Sequence, residues 1–333
     1  MMRRIAMAAI LLAQAVPAAA QQKNDVVSVG QTVSLAQAPY YIALEKDYFA
    51  AEHITVESDS QRGAQDTVAM LATGKLDVSL GSISAGLFNA EGQGLDLRVV
   101  AALGVQPSPV VSTPSVARKD LWDSGAIKSG ADFRGRKVAV NVPGAFPEYF
   151  LFLILAKYGM TVKDVDETII GFPQMLIALQ NKAIDVAILP EPFATTAIKQ
   201  GNAVLVGPEA GVGSGELTTM VFFSGQFLRE RADVGMRFLR AILRAARETQ
   251  GDYGKNPELS ALLAKATGLQ PEAVRQSTAS IFDANLDIEK FEDSLRRQEQ
   301  AYRKIGRLNY ATPLPMDRLV DASLVHKAAA TLK

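Results

Sequence analysis

The sequence predicts an α/β protein of two similar lobes in tandem, with a helical tail, and three observations predict it. From Val26 onward, short apolar runs alternate with longer amphipathic ones, the signature of strands and helices in a largely parallel sheet. The stretch Leu71-Ala72-Thr73-Gly74-Lys75-Leu76-Asp77-Val78 is echoed 108 residues on, Leu71 by Leu179 and Asp77 by Asp185, in the same helix–turn–strand context. After Gln226 the alternation gives way to continuous helical periodicity.

Taken in order, Val26–Val33 reads as a strand, and 39–51 as a helix with Pro39 in its first turn and Tyr41, Leu44 and Tyr48 at helical spacing. Ile54–Ser58 is a strand, 64–73 a helix stopped by Gly74, Leu76–Leu80 a strand, Ile83–Ala90 a helix and Leu97–Leu103 a strand. The pattern restarts after Asp132. Lys137–Val142 is a strand, and Glu148–Tyr158 is a helix apolar nearly all round, hence buried, and ended by Gly159. Val165–Ile170, Ile184–Leu189 and Ala203–Val206 are strands, with helices over Pro173–Asn181 and Pro192–Gln200 between them. Asn181 and Lys182 stand where the first half has Gly74, and asparagine is expected to take the left-handed turn there. Leu217–Ser224 is a strand. Helices around 257–266, 271–280 and 288–305 follow a helix marked by Met236, Leu239, Leu243 and Ala246. The tail is expected to pack back on the first lobe, giving a discontinuous lobe of 26–112 plus 220–333 and a second lobe of 113–219, with the chain crossing near Val110–Val116 and Leu217–Phe223.

Arg3 and Arg4, an apolar run from Ile5 to Val16, and Ala18-Ala19-Ala20 before Gln21 have the three-part layout of a secretory signal peptide over 1–20. The sequence contains no cysteine, which excludes disulfides, thiolate metal sites, a cysteine nucleophile and a lipidated cysteine anchor. The expected address is therefore the periplasm, as a free monomer. Lysine plus arginine equals aspartate plus glutamate at 35 each, which leaves no electrostatic footprint for nucleic acid.

Four blocks in order carry a family resemblance. Ala38-Pro39-Tyr40-Tyr41-Ile42-Ala43-Leu44-Glu45-Lys46-Asp47-Tyr48-Phe49 resembles the first helix of the nitrate/sulfonate/taurine and thiamine-pyrimidine-precursor binding proteins. The block from Gly63-Ala64 through Asp77-Val78, the run Phe133-Arg134-Gly135-Arg136-Lys137-Val138-Ala139-Val140, and the block from Ala178-Leu179 to Glu191-Pro192-Phe193 resemble the blocks that follow. The resemblance implies a type II-like periplasmic binding protein that closes two lobes over a small solute and delivers it to an ABC permease in the inner membrane.

Independently, open α/β sheets bind ligands off the carboxyl ends of their strands, where helix N-termini present free amides. The loops so placed are 34–40, 60–63, 81–84, 141–146, 171–174 and 190–193. From them, Gln37, Ala38, Tyr40, Arg62, Ser82, Ser84, Asn141, Gly144, Phe146 and Glu191 are the candidate ligand contacts. Tyr40 offers a ring or a hydroxyl, Gly144 a close backbone approach, Glu191 an acceptor and Arg62 an anion partner, although Tyr40 also suits a core and Ser84 a helix cap. One arginine beside Tyr40, Phe146 and Phe172 leans toward an aromatic or heterocyclic ligand over a bare anion.

Two other classes compete. A thiamine-pyrimidine-synthase-like enzyme in related folds uses a histidine and a cysteine-rich motif, whereas this chain has only His53 and His326 and no cysteine. It has no glycine-rich phosphate loop and no histidine–carboxylate metal spacing, so no cofactor and no metal are expected. A ligand-sensing module of a membrane signalling partner needs the same closing lobes.

Overall fold

The computed structural model describes residues 24–60, 65–206 and 212–332, so the leader-like segment 1–20 and Arg62 lie outside the described residues. Among the described residues ten strands form: β1 (Asp25–Gln31), β2 (Ile54–Ser60), β3 (Val78–Gly81), β4 (Leu97–Ala102), β5 (Ser115–Arg118), β6 (Lys137–Val140), β7 (Asp166–Ile169), β8 (Val186–Ile188), β9 (Ala203–Leu205) and β10 (Met220–Ser224). They make two five-stranded sheets, ordered β2-β1-β3-β10-β4 and β7-β6-β8-β5-β9.

The two orders are the same topology. In the first sheet β1 pairs in parallel with β2 and β3, and β10 runs antiparallel between β3 and β4. In the second, β6 pairs in parallel with β7 and β8, and β5 runs antiparallel between β8 and β9. The odd strand in each sheet is the one that follows a passage of the chain from the other sheet. β5 begins inside the segment read from sequence only as a crossing, because four residues with one charge carry too little periodicity to stand out.

The internal echo has a structural meaning. The Asp77 carboxylate accepts the Ser28 N–H of β1 at 3.0 Å and pairs with Arg231, while the Asp77 carbonyl accepts the Ser224 N–H of β10. The Asp185 carboxylate accepts the Lys137 N–H of β6 at 3.1 Å and pairs with Arg118, while its carbonyl accepts the Arg118 N–H of β5. Each aspartate pins the entry to its third strand onto both the first and the antiparallel strand. At the preceding turn Gly74 has φ +67°, and the equivalent residue, Lys182, has φ +59°. Asn181 remains right-handed at φ −84°, so the lysine, not the asparagine, takes the left-handed conformation.

Helices flank both sheets. The expected helix over 39–51 is two, Ala38–Glu45 and Tyr48–Ala51, broken at Asp47, which has φ +56°. The helix Phe146–Lys157 buries Phe146, Tyr149, Phe150, Leu151, Ile154 and Leu155, each large side chain contributing about 1.5–3 kcal/mol of transfer free energy. The tail packs on the first sheet. Its helix Ala232–Glu248 lies against Ala38–Glu45, and two short helices missed in the sequence, Met316–Leu319 and Ser323–Thr331, lie against β4. The helix Glu292–Lys304 differs, touching both Phe146–Lys157 of the second lobe and Ala85–Gly92 of the first.

Between the sheets two chain passages run side by side. Val105 bridges Leu217 in antiparallel sense, Gln106 N–H donates to the Glu216 carbonyl at 2.9 Å, and Gly215 N–H donates back to Gln106 at 3.0 Å. Thr218 N–H and its hydroxyl both donate to the Gly104 carbonyl. Ile281 bridges Val105 from its other side. This short ribbon is the covalent joint between the lobes.

Candidate functional site

A cleft lies over the joint, between the strand ends of the two sheets. The first lobe supplies Thr32, Ser34, Ala36 and Ser82; the second supplies Asn141, Phe146, Pro147, Phe172 and Pro190; the joint supplies Thr113, Thr218 and Thr219. The space left is about 40 Å³, room for a water or two. The two walls therefore stand close together.

The lobes touch on either side of this space. Ala85 N–H donates to the Gly144 carbonyl at 2.7 Å, Leu35 N–H donates to the Glu191 carbonyl at 3.1 Å, and Phe146 N–H reaches the Ser82 hydroxyl at 3.5 Å. Gly144 is required twice over: its φ is +69°, and a Cβ there would stand 2.5 Å from the Ala85 Cβ.

Of the residues singled out in the sequence, Ser82, Asn141 and Phe146 line the cleft, and Gly144 forms its rim. Phe146 stacks on Phe150 and meets Tyr149 edge-on, so its ring is fixed from behind. The others lie elsewhere. Tyr40 is fully buried against Tyr41 and Phe49, its hydroxyl bonded to Ser58, and burial pushes that hydroxyl's pKa up to about 12. Ala38 is buried beside it. Gln37 is a support: its amide donates to the Thr32 hydroxyl at 2.8 Å and to the Leu80 carbonyl at 3.3 Å, fixing a residue of the cleft wall. Ser84 caps the helix Ala85–Gly92 by accepting from Leu87 N–H at 3.2 Å. Glu191 is a joint between segments: its carboxylate accepts from Thr195 N–H at 3.0 Å and the Thr195 hydroxyl at 2.9 Å, and from Thr278 N–H at 3.4 Å. Burial raises its pKa above the ordinary carboxylate range.

The sequence reading missed Thr113, Thr218 and Thr219, because they belong to the joint and not to a strand-to-helix loop. The signal was available in part, since Thr218-Thr219 immediately precedes β10 where the chain passes between lobes. Among the described residues lining the cleft none is charged, and the polar groups are hydroxyls and one amide. His53 and His326 are exposed and remote from these residues, His326 facing Asp287 at 3.2 Å.

The NMT1/THI5-like family model matches residues 35–253, a span holding the joint and every residue named in the cleft lining except Thr32 and Ser34. The chain belongs to the NMT1/THI5-like family. A curated relative, the riboflavin-binding protein RibY of Chloroflexus aurantiacus, is 29% identical over 230 residues, covering 67% of this chain and 61% of RibY. The chain thus matches less than two thirds of that relative's length. Among solved structures, the periplasmic nitrate-binding protein NrtA of Synechocystis PCC 6803 superposes at TM-score 0.76 with 16% identity, over 93% of this chain and 90% of NrtA. The ligand-binding component of an ABC-type import system from Staphylococcus aureus does so at 0.75 with 14% identity, over 92% of this chain and 99% of that one. At these identities the structures establish the periplasmic-binding-protein fold alone, and the same fold is found in the desulfurization enzyme DSZB, at TM-score 0.63 and 16% identity.

Proposed function

We propose that this protein is the exported solute-binding component of an ABC importer, a monomer that captures a planar, largely uncharged organic solute between two lobes, 26–112 plus 220–333 and 113–219, and presents it to an inner-membrane permease. The observation that carries the proposal is a cleft whose walls come from both lobes and whose floor is the joint between them. A solute touching both walls favours the closed form, since only differential affinity shifts such an equilibrium. Phe146 and Phe172 supply faces for stacking, and Thr32, Ser34, Ser82 and Asn141 supply neutral hydrogen-bonding groups. The likeness to a riboflavin-binding protein supports a heterocyclic ligand. The leader-like segment 1–20 supports export, and among the described residues no helix is long and apolar enough to cross a membrane.

A binding role is supported by the relatives, which are named as binding proteins. The test is a thermal-shift screen of flavins, pyrimidines, aromatic carboxylates, sulfonates and nitrate. A bound solute at a hundred times its dissociation constant adds about 2.7 kcal/mol of stability. Stabilisation by a planar heterocycle that is recovered unchanged is the expected result. Stabilisation by nitrate or sulfonates alone would overturn the ligand class, and conversion of the solute would overturn the binding-only role.

A further inference from the structure

Away from the cleft, two carboxylates and an imidazole converge where the tail closes on the first sheet. Asp287, Glu289 and His326 each present one donor atom, and these atoms lie within 4.8 Å of one another. Asp287 and His326 are 39 positions apart, so no spacing in the sequence announces the group. β4 sets both segments that carry it. The Ala102 N–H donates to the Leu286 carbonyl at 2.9 Å, directly ahead of Asp287, and the Asp321 N–H donates to the Val99 carbonyl at 3.0 Å, just ahead of the helix Ser323–Thr331 that holds His326. Buried neighbours anchor the donors: Ile288 stands between Asp287 and Glu289, and Val325 precedes His326. The Asp287 carboxylate also caps the short 3-10 helix Ile288–Phe291 by accepting the Glu289 N–H at 3.1 Å. Asp287 is half-buried, whereas Glu289 and His326 are exposed, so water reaches the point between them.

Two acidic residues alone would be an ordinary solvated patch, and the imidazole is the deciding member. Lys290 of the same turn pairs with Asp283, and among the described residues no lysine or arginine forms an ion pair with Asp287 or Glu289. His326 Nε2 stands 3.2 Å from Asp287 Oδ1. Carboxylates by themselves suit magnesium or calcium, whereas imidazole suits first-row transition cations. Zinc lies about 2.0–2.2 Å from nitrogen and carboxylate ligands, so the three donors need to draw in to roughly 3–3.5 Å of one another. That is a small movement for exposed side chains on a fixed backbone, and the two carboxylates balance the charge of a divalent ion.

We propose that Asp287, Glu289 and His326 bind a divalent first-row transition cation, with water completing its coordination, and that the cation staples the C-terminal helix to the turn ahead of Glu292–Lys304. The cation is a fixture of the tail and not the captured solute, because none of the three residues lines the cleft. Held by two segments at once, it opposes fraying of the last helix, since an ion that binds only the docked arrangement stabilises it by mass action. Neither the solute nor any motion of the lobes enters this inference.

The test uses zinc chloride, titrated calorimetrically into the chelator-stripped chain without an affinity tag, and a single bound ion is expected. His326→Ala and Glu289→Gln should each weaken uptake by at least about tenfold, since losing even a ligand's supporting partner costs roughly 10–100-fold. Both positions are exposed, and circular dichroism checks that both variants fold. His53→Asn, at the other histidine, should leave the titration unchanged, and asparagine suits its φ of +56°. With zinc at ten times its dissociation constant, amide exchange in Ser323–Thr331 should slow about tenfold in the unaltered protein and not in His326→Ala. No zinc uptake, or uptake indifferent to both His326→Ala and Glu289→Gln, overturns the site. Calcium or magnesium bound as tightly as zinc overturns the class of cation, and unaltered amide exchange in the zinc-loaded chain overturns the staple.

Discussion

The two walls of the cleft come from sheets of identical topology and yet have opposite chemistry. The first lobe offers Thr32, Ser34 and Ser82, short hydroxyls at or near strand ends; the second offers Phe146, Pro147, Phe172 and Pro190, with Asn141 the polar exception. One wall is suited to hydrogen bonding and the other to stacking. Neither alone contacts a planar heterocycle fully, since its edge carries the donors and acceptors and its face the dispersion surface. Equal topology fixes where the walls stand, and the loop residues decide what each recognises. In the proposed capture this division of labour would tie affinity to closure, because both walls must reach the solute.

The largest effect is expected from keeping the walls apart. Gly144→Val places a branched side chain where even a Cβ stands 2.5 Å from Ala85, at a left-handed backbone position. Solute affinity should drop by about a hundredfold, roughly 2.8 kcal/mol by calorimetry, and an unchanged affinity would mean that the walls need not meet. The next effect separates the walls from each other. Phe172→Ala should weaken binding about tenfold by removing a stacking face, and Ser82→Ala about threefold by removing one neutral hydrogen bond. If Ser82→Ala costs more than Phe172→Ala, the solute is read chiefly by its edge, and the assignment of walls is reversed. The smallest effect is Tyr40→Phe. It removes a buried hydroxyl's bond to Ser58, so stability should fall by about 1 kcal/mol in denaturant melts, with affinity unchanged. A loss of affinity there would return Tyr40 to the site.

The strand–helix alternation, the discontinuous first sheet and the repeated Asp77/Asp185 turn were legible because each rests on periodicity or on a residue pattern within a few positions. The cleft loops were legible for the same reason, since strand ends can be located by counting. Side-chain direction was not. Tyr40 and Ser82 both follow strand ends, but one turn of helix rotates Tyr40 into the core while Ser82 precedes its helix and faces the opposite lobe. Glu191 illustrates a second barrier. Its position after a strand is equally compatible with a ligand contact and with a cap, and only the arrival of Thr195 and Thr278 decides what its carboxylate holds. An ion cluster joins Glu148 and Glu167 to Arg307 in the tail, more than a hundred positions away, a pairing that no local pattern encodes.

The antiparallel strand of each sheet has a consequence for how the chain is made. β5 through β9 lie in one uninterrupted stretch, 115–205, so the second sheet holds all its strands once residue 205 is available. The first sheet is different: β10, which fills the place between β3 and β4, is the last strand of all. Synthesis runs from the N-terminus and domains fold as units as they emerge. The lobe that begins first must therefore finish second, holding a gap between β3 and β4 until the whole of the other lobe has emerged.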